Sequence, residues 1–196
     1  MIHPHTEIRF ISPEIGYGVV ATEFIPAGTI TWVLDLLDRE FTPTEIKSMA
    51  PFYQNILDTY SFRNSKGNHI LCWDNGRYVN HSFDSNCLTT AYDFEIAVRD
   101  IHKGEQLTDD YGYLNITHPF EGIDEGTKRK IVYPDDLLNY HEVWDKKIEK
   151  VFGKIILNEQ PLKNLIEDEL WIKIQGIIEG KMPMDSILKN YYDQNQ

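Results

Sequence analysis

The spacing of apolar residues changes character near Pro119. Before it, short runs alternate apolar and polar positions. Ile8 and Phe10 flank polar neighbours, Ile30-Thr31-Trp32-Val33-Leu34 is branched and aromatic, and Phe94, Ile96 and Val98 recur at every second position. This is the period of half-buried strands. Pro26-Ala27-Gly28, Asn75-Gly76 and Lys103-Gly104 carry turn chemistry and separate the runs. One helix is predicted to interrupt them, with Thr42 as N-cap, Pro43 at the first helical position and Glu45 three residues on. It carries Ile46 and Met49 and, past Pro51, Phe52 and Ile56. After Pro119 the period becomes helical: Leu162, Leu165, Ile166, Leu170, Ile174, Ile177 and Ile178 follow Pro161, which is placed to open a helix. A second amphipathic stretch runs from about Leu137 to Leu157 and a short one from Asp185 to Tyr192. These faces pack on the β part or on each other, with a partner groove or a homodimer surface as the alternative. The expectation is a mainly β domain with some α over residues 1–118, carrying an insert at about 36–70, and a helical region over 119–196 packed on it.

A chain of 196 residues suits one domain with a small appendage. Its net charge of −12 repels phosphate backbones and favours cationic partners, which argues against direct nucleic-acid binding. The start of the chain has neither the basic nor the apolar character of a secretory signal, and no window has the apolar length of a membrane span, so a cytoplasmic protein is expected. Cys72 and Cys87 form no C-x-x-C pair; they predict no metal site or disulfide framework and read as small, half-buried side chains. Lys128-Arg129-Lys130 reads as a solvated loop.

Gly16-Tyr17-Gly18-Val19-Val20-Ala21 fits the loose dinucleotide-binding pattern. That pattern must open a helix that holds a pyrophosphate, whereas here Pro26-Ala27-Gly28 follows before a turn of helix is complete. The glycines instead let backbone pass close to a ligand at the start of a strand.

Two further runs carry chemistry: Arg77-Tyr78-Val79-Asn80-His81-Ser82-Phe83-Asp84-Ser85-Asn86-Cys87, and Gly104-Glu105-Gln106-Leu107-Thr108-Asp109-Asp110-Tyr111-Gly112-Tyr113. Singly they are ambiguous; Asn80-His81-Ser82 also fits a capped turn, and Tyr111 and Tyr113 a strand face. Taken with Gly16-Tyr17-Gly18 and Ile25-Pro26-Ala27-Gly28, their order and spacing resemble the SET-domain protein-lysine methyltransferases over about residues 6 to 115. The resemblance implies a β-clip-like fold of several small curved sheets, in which the segment ending at Tyr111 threads beneath the loop of Asn80 and His81. Such a pseudoknot is a rare exception to unthreaded topology. It implies S-adenosylmethionine as cofactor, held by Gly16, Tyr17, Gly18, Asn80, His81 and Tyr111, with Tyr111 catalytic. The implied partner is a lysine-containing protein or peptide, with no metal in the site.

An aromatic channel suits this chemistry because it strips water from a lysine ammonium and lowers its pKa. Tyr111 and Tyr113 are the first candidates for its walls, and Tyr60 and Phe62 either join them or belong to the core. Asp109 departs from the family, whose members often place an aromatic there that influences how many methyl groups are added. It either binds an ammonium through water or faces solvent. The family's zinc-binding cysteine tail is absent, so this is the small form without that module, and the C-terminal region must close the cofactor site. Phe120, Tyr133 or Trp144 either covers the adenine or belongs to the core. The alternatives to protein-lysine methylation are a SET-like module that binds without turnover and methylation of a small amine.

Overall fold

Gly16 sits at a φ of 79° where the chain reverses between two strands, β1 (Thr6–Ser12) and β2 (Gly16–Ala21), which pair antiparallel. The computed structural model describes residues 1–193. In β2 the exposed Tyr17 gives way to a buried run from Gly18 to Ala21. The Pro26-Ala27-Gly28 turn follows, with Gly28 at φ 90°, and leads into β3 (Ile30–Val33), buried along its whole length.

The insert then forms β4 (Arg39–Phe41), α1 (Pro43–Ser48), α2 (Pro51–Tyr60), β5 (Ser61–Arg63) and β6 (His69–Leu71), with its strands in the order β4-β6-β5. Thr42 caps α1 with the reciprocal Glu45 hydrogen bonds of a capping box. The single helix expected here is two. Met49 and Ala50 are extended, at ψ 157° and 147°, because the ring of Pro51 disfavours the helical conformation in the residue before it.

A 3₁₀ turn at Asn75–Tyr78 leads to β7 (Asn80–His81), β8 (Cys87–Thr89) and β9 (Phe94–Ala97); β9 is the middle strand of the sheet β3-β9-β8. β10 (Thr108–Asp109) lies parallel to β7, Thr108 opposite Asn80 and Asp109 opposite His81. It is tied on both sides of that ladder. The Ser82 N–H donates to Asp109 O at 2.8 Å, and the buried Asn86 side chain donates to Gln106 O at 2.8 Å and accepts from Thr108 N at 2.9 Å.

After a short hairpin, β11 (Phe120–Glu121) and β12 (Ile131–Val132), come α3 (Asp136–Phe152) and α4 (Asp168–Ile178). Leu137, Trp144, Ile148, Val151 and Phe152 of α3 share one core with Ile30, Val33, Leu88, Phe94 and Ile96 of the β3-β9-β8 sheet. A second core under β2 joins Val19, Ala21, Trp32, Val79, Cys87 and Leu107. Both cysteines are fully buried free thiols rather than half-buried ones.

Pro161 does not open a helix. Residues 163–165 form a 3₁₀ turn, extended Ile166 ends it, and α4 starts at Asp168, where Asp168 and Glu169 complement the positive end of the helix dipole. Of the expected stripe, Leu162 and Ile166 are buried from this turn, while Leu165 faces out. The stretch from Asp185 to Tyr192 holds only a 3₁₀ turn, Ile187–Asn190. Among the described residues no helix is long and apolar enough to cross a membrane.

Candidate active site

Three segments distant in sequence meet at Gly18. Asn80 Nδ2 donates to the backbone carbonyl of Tyr17 at 3.0 Å and to Gln106 Oε1 at 2.7 Å, joining β2, β7 and the approach to β10. A Cβ at Gly18 would lie 2.1 Å from Gln106 Oε1 and 2.7 Å from Asn80 Nδ2, so these side-chain ends would have to swing aside. Gly16, at the hairpin turn, has open space instead.

His81 follows Asn80 and is packed by rings, with Phe83, Phe120 and Tyr111 centroids at 4.4, 5.4 and 5.5 Å. Its Nδ1 accepts from the Tyr111 N–H at 3.2 Å, and its Nε2 is buried without a partner. Burial pushes the imidazole pKa down, so the ring is neutral. With Nδ1 accepting, the proton sits on Nε2.

Tyr111 opens a 3₁₀ turn, Tyr111–Tyr113, capped by the side chain of Asp110. Its hydroxyl donates to Val79 O at 2.7 Å, back onto the strand it lies beside. Burial, and then the charges of Asp109 and Glu95, push the phenol well above its usual value. It is therefore a neutral hydroxyl and not a base.

Tyr111 lines a cavity of about 340 Å³ together with Trp32, Tyr60, Phe62, Glu95 and Asp109. Of the residues picked out from the sequence, Tyr17, Gly18, Asn80, His81 and Tyr111 thus come together, and Tyr60, Phe62 and Asp109 share the cavity with Tyr111. Tyr113 does not line it. The 3₁₀ turn rotates its ring away from Tyr111, leaving it fully buried and edge-on to Trp144 at 5.4 Å. Trp144 is likewise core, Phe120 lines the cavity against His81, and Tyr133 is largely exposed.

Two site features were not read from the sequence. Glu95 looked like the solvent-facing position of an alternating strand. Arg129 was expected in a solvated loop, but its guanidinium bridges the buried carboxylates of Asp110 and Asp136 and lies over the rings of Tyr140 and Phe83, at 4.5 and 5.0 Å. It pins the residue next to Tyr111 to the start of α3.

A family model described as the SET domain matches residues 16–112. That stretch holds the Gly18–Asn80–Tyr111 arrangement, and the chain belongs to the SET-domain family. It is similar to "Histone-lysine N-methyltransferase ASHH2" of Arabidopsis thaliana, 31% identical over 121 residues that cover 55% of this chain. The chain spans only 7% of that relative's length. Among solved structures it is similar to a Plasmodium falciparum protein titled as a candidate histone methyltransferase, at 18% identity and a TM-score of 0.42, covering 64% of this chain and 100% of that one.

Proposed function

We propose that this protein transfers a methyl group from S-adenosylmethionine to the side-chain amine of a lysine in a protein. The observation that carries the reading is the convergence of Gly18, Asn80 and His81 with Tyr111, which itself lines a cavity with Trp32, Tyr60 and Phe62. The half-exposed strand start at Gly16 and Tyr17, with the Asn80 amide hydrogen-bonded to the Tyr17 carbonyl, fits a ligand held close to backbone. In this reading the backbone of Tyr17 and Gly18, the side chain of Asn80 and the backbone of His81 hold the cofactor. When bound, S-adenosylmethionine supplies an electrophilic methyl group on a sulfonium.

The residues around it have two tasks. Trp32, Tyr60 and Phe62 exclude water from the incoming amine. A free lysine has a pKa near 10.4, so neutralising it at pH 7 costs about 4–5 kcal/mol, and a dry aromatic wall reduces that cost by disfavouring the ammonium. The neutral Tyr111 hydroxyl, fixed by Val79 O, keeps lone pairs free to accept weak C–H hydrogen bonds and so to hold the transferring carbon on the line of attack. The net charge of −12 favours a lysine-rich, cationic substrate. The name of the Arabidopsis relative supports a histone as the first substrate to try.

The test is incubation with methyl-labelled cofactor, core histones and a cell lysate. Label in protein bands, with methyl-lysine on hydrolysis, is expected. Label confined to small molecules would instead identify a small-amine methyltransferase. Tight cofactor binding without label would identify a binding module.

A further inference from the structure

β9 alternates strictly. Phe94 and Ile96 are fully buried on one face, and Glu95 points to the other, between Trp32 of β3 and Thr89 of β8. Because β9 is the middle strand, that other face opens into the Tyr111 cavity rather than toward bulk water. Asp109 enters the same cavity from β10, is 5% exposed, and its Oδ1 is buried without a donor. The two carboxyls share this wall and act on each other's protonation, Glu95 holding its proton the more tightly.

Two interacting carboxyls on one wall resist being ionised together, and with Glu95 raised well above the carboxylate range and Asp109 to about 6 they carry one negative charge at pH 7. A negative charge on this wall favours a cation that enters the cavity, because an unpaired buried charge is costly.

On the reading that the protein methylates lysine, we propose that the Glu95–Asp109 pair is the proton acceptor for the substrate ammonium. As the lysine enters, one N–H bond breaks and an O–H bond forms on the pair, which becomes neutral. The electron pair left on nitrogen is the nucleophile toward the sulfonium-bound methyl. The product leaves as a methylammonium cation, and the pair returns its extra proton to water when the cavity opens.

Burial, with the like charge of Asp110 adding to it, pushes Asp109 up to about 6, and burial followed by the charge of Asp109 pushes Glu95 well above the carboxylate range. Around the pair stand Asp110, Tyr111 and Tyr113 from the 3₁₀ turn, Cys87 from β8, His81 across the β7–β10 ladder, and Cys72. The amino terminus acts on Glu95 as a cation. Asp58, Arg63, His69, Arg77 and His118 are the other charge-bearing groups on the cavity wall.

Since the pair accepts only when ionised, its contribution is present above the Asp109 value and is lost as pH falls through about 6. The test compares wild type, Asp109→Asn and Glu95→Gln on core histones with saturating cofactor from pH 5.5 to 9. Wild-type turnover should rise through about pH 6 and then level. Asp109→Asn should lose that plateau, its rate climbing about tenfold per pH unit toward the pKa of free lysine. Glu95→Gln carries no titratable proton there, so its pH profile should keep one inflection near 6, which assigns that inflection to Asp109.

An independent readout needs neither substrate nor cofactor. Isotope-edited infrared spectra should show an aspartic acid C=O band that titrates near pH 6 in wild type and is missing in Asp109→Asn. A wild-type-like pH profile in Asp109→Asn, or no such band, overturns the role of the pair and leaves the methyl-transfer reading standing. If wild type labels no protein, that reading fails and the role of the pair goes with it, whatever the infrared spectra show.

Discussion

Replacing Arg129 by Met tests how the site is held. The side chains of Asp110 and Asp136 are each 2% exposed and that of Arg129 is 16% exposed. An exposed ion pair is worth about 0–1 kcal/mol. Removing the cation from a buried pair strands the charges and costs about 3–5 kcal/mol, and here two carboxylates depend on one guanidinium. Methionine keeps apolar packing against Tyr140 and Phe83, so the loss reports mainly on charge. For a protein of this size the fall in melting temperature should be on the order of 10 °C.

The deficit should also depend on pH. Burial already holds Asp136 above the usual carboxylate value, with Arg129 pulling it back. Without Arg129 the folded-state pKa rises further, so the neutral acid is favoured in the fold. The penalty then builds as pH rises from the unfolded value of about 3.9 toward the folded one; it is full at pH 7 and shrinks toward pH 5 and below. Urea denaturation of wild type and variant at both pH values measures it. A deficit under about 1 kcal/mol at pH 7, or one that acidification does not reduce, would refute this account of the bridge. The triple variant Arg129→Met, Asp110→Asn, Asp136→Asn should recover most of the loss.

Tyr111→Phe removes the hydroxyl that rests on Val79 O; turnover should fall by about 100- to 1000-fold, with cofactor affinity nearly unchanged by calorimetry. Gly18→Ala forces a carbon against Gln106 and Asn80 and should weaken S-adenosylhomocysteine binding by about tenfold, roughly 1.4 kcal/mol, with little change in melting temperature. Asn86→Ala leaves the Gln106 carbonyl and the Thr108 N–H without their partner and should cost about 3 kcal/mol in urea unfolding.

Residues whose task is set by backbone geometry were legible in the sequence. The order of Gly16-Tyr17-Gly18, Asn80-His81 and Asp110-Tyr111-Gly112 carried the family resemblance, and the side-chain ends of Gln106 and Asn80 pack against Gly18. Residues whose meaning depends on what covers them were not. Glu95 obeys the alternation of its strand, but alternation does not say whether the outer face meets water or a cavity. Tyr113 was assigned to the Tyr111 wall, yet a capped 3₁₀ turn separates the two rings. Arg129 sits between two lysines and looked solvated, since one of its partners, Asp110, lies 19 positions away.

The parallel ladder of β7 and β10 also orders events in time. During synthesis Asn80 and His81 emerge well before Gln106, Thr108 and Tyr111, and the β8–β9 hairpin lies between. Non-local pairings of this kind form late in folding. A nascent chain therefore carries half a binding site and no competent one, and cofactor has nothing complete to bind until the later segment has been drawn into place.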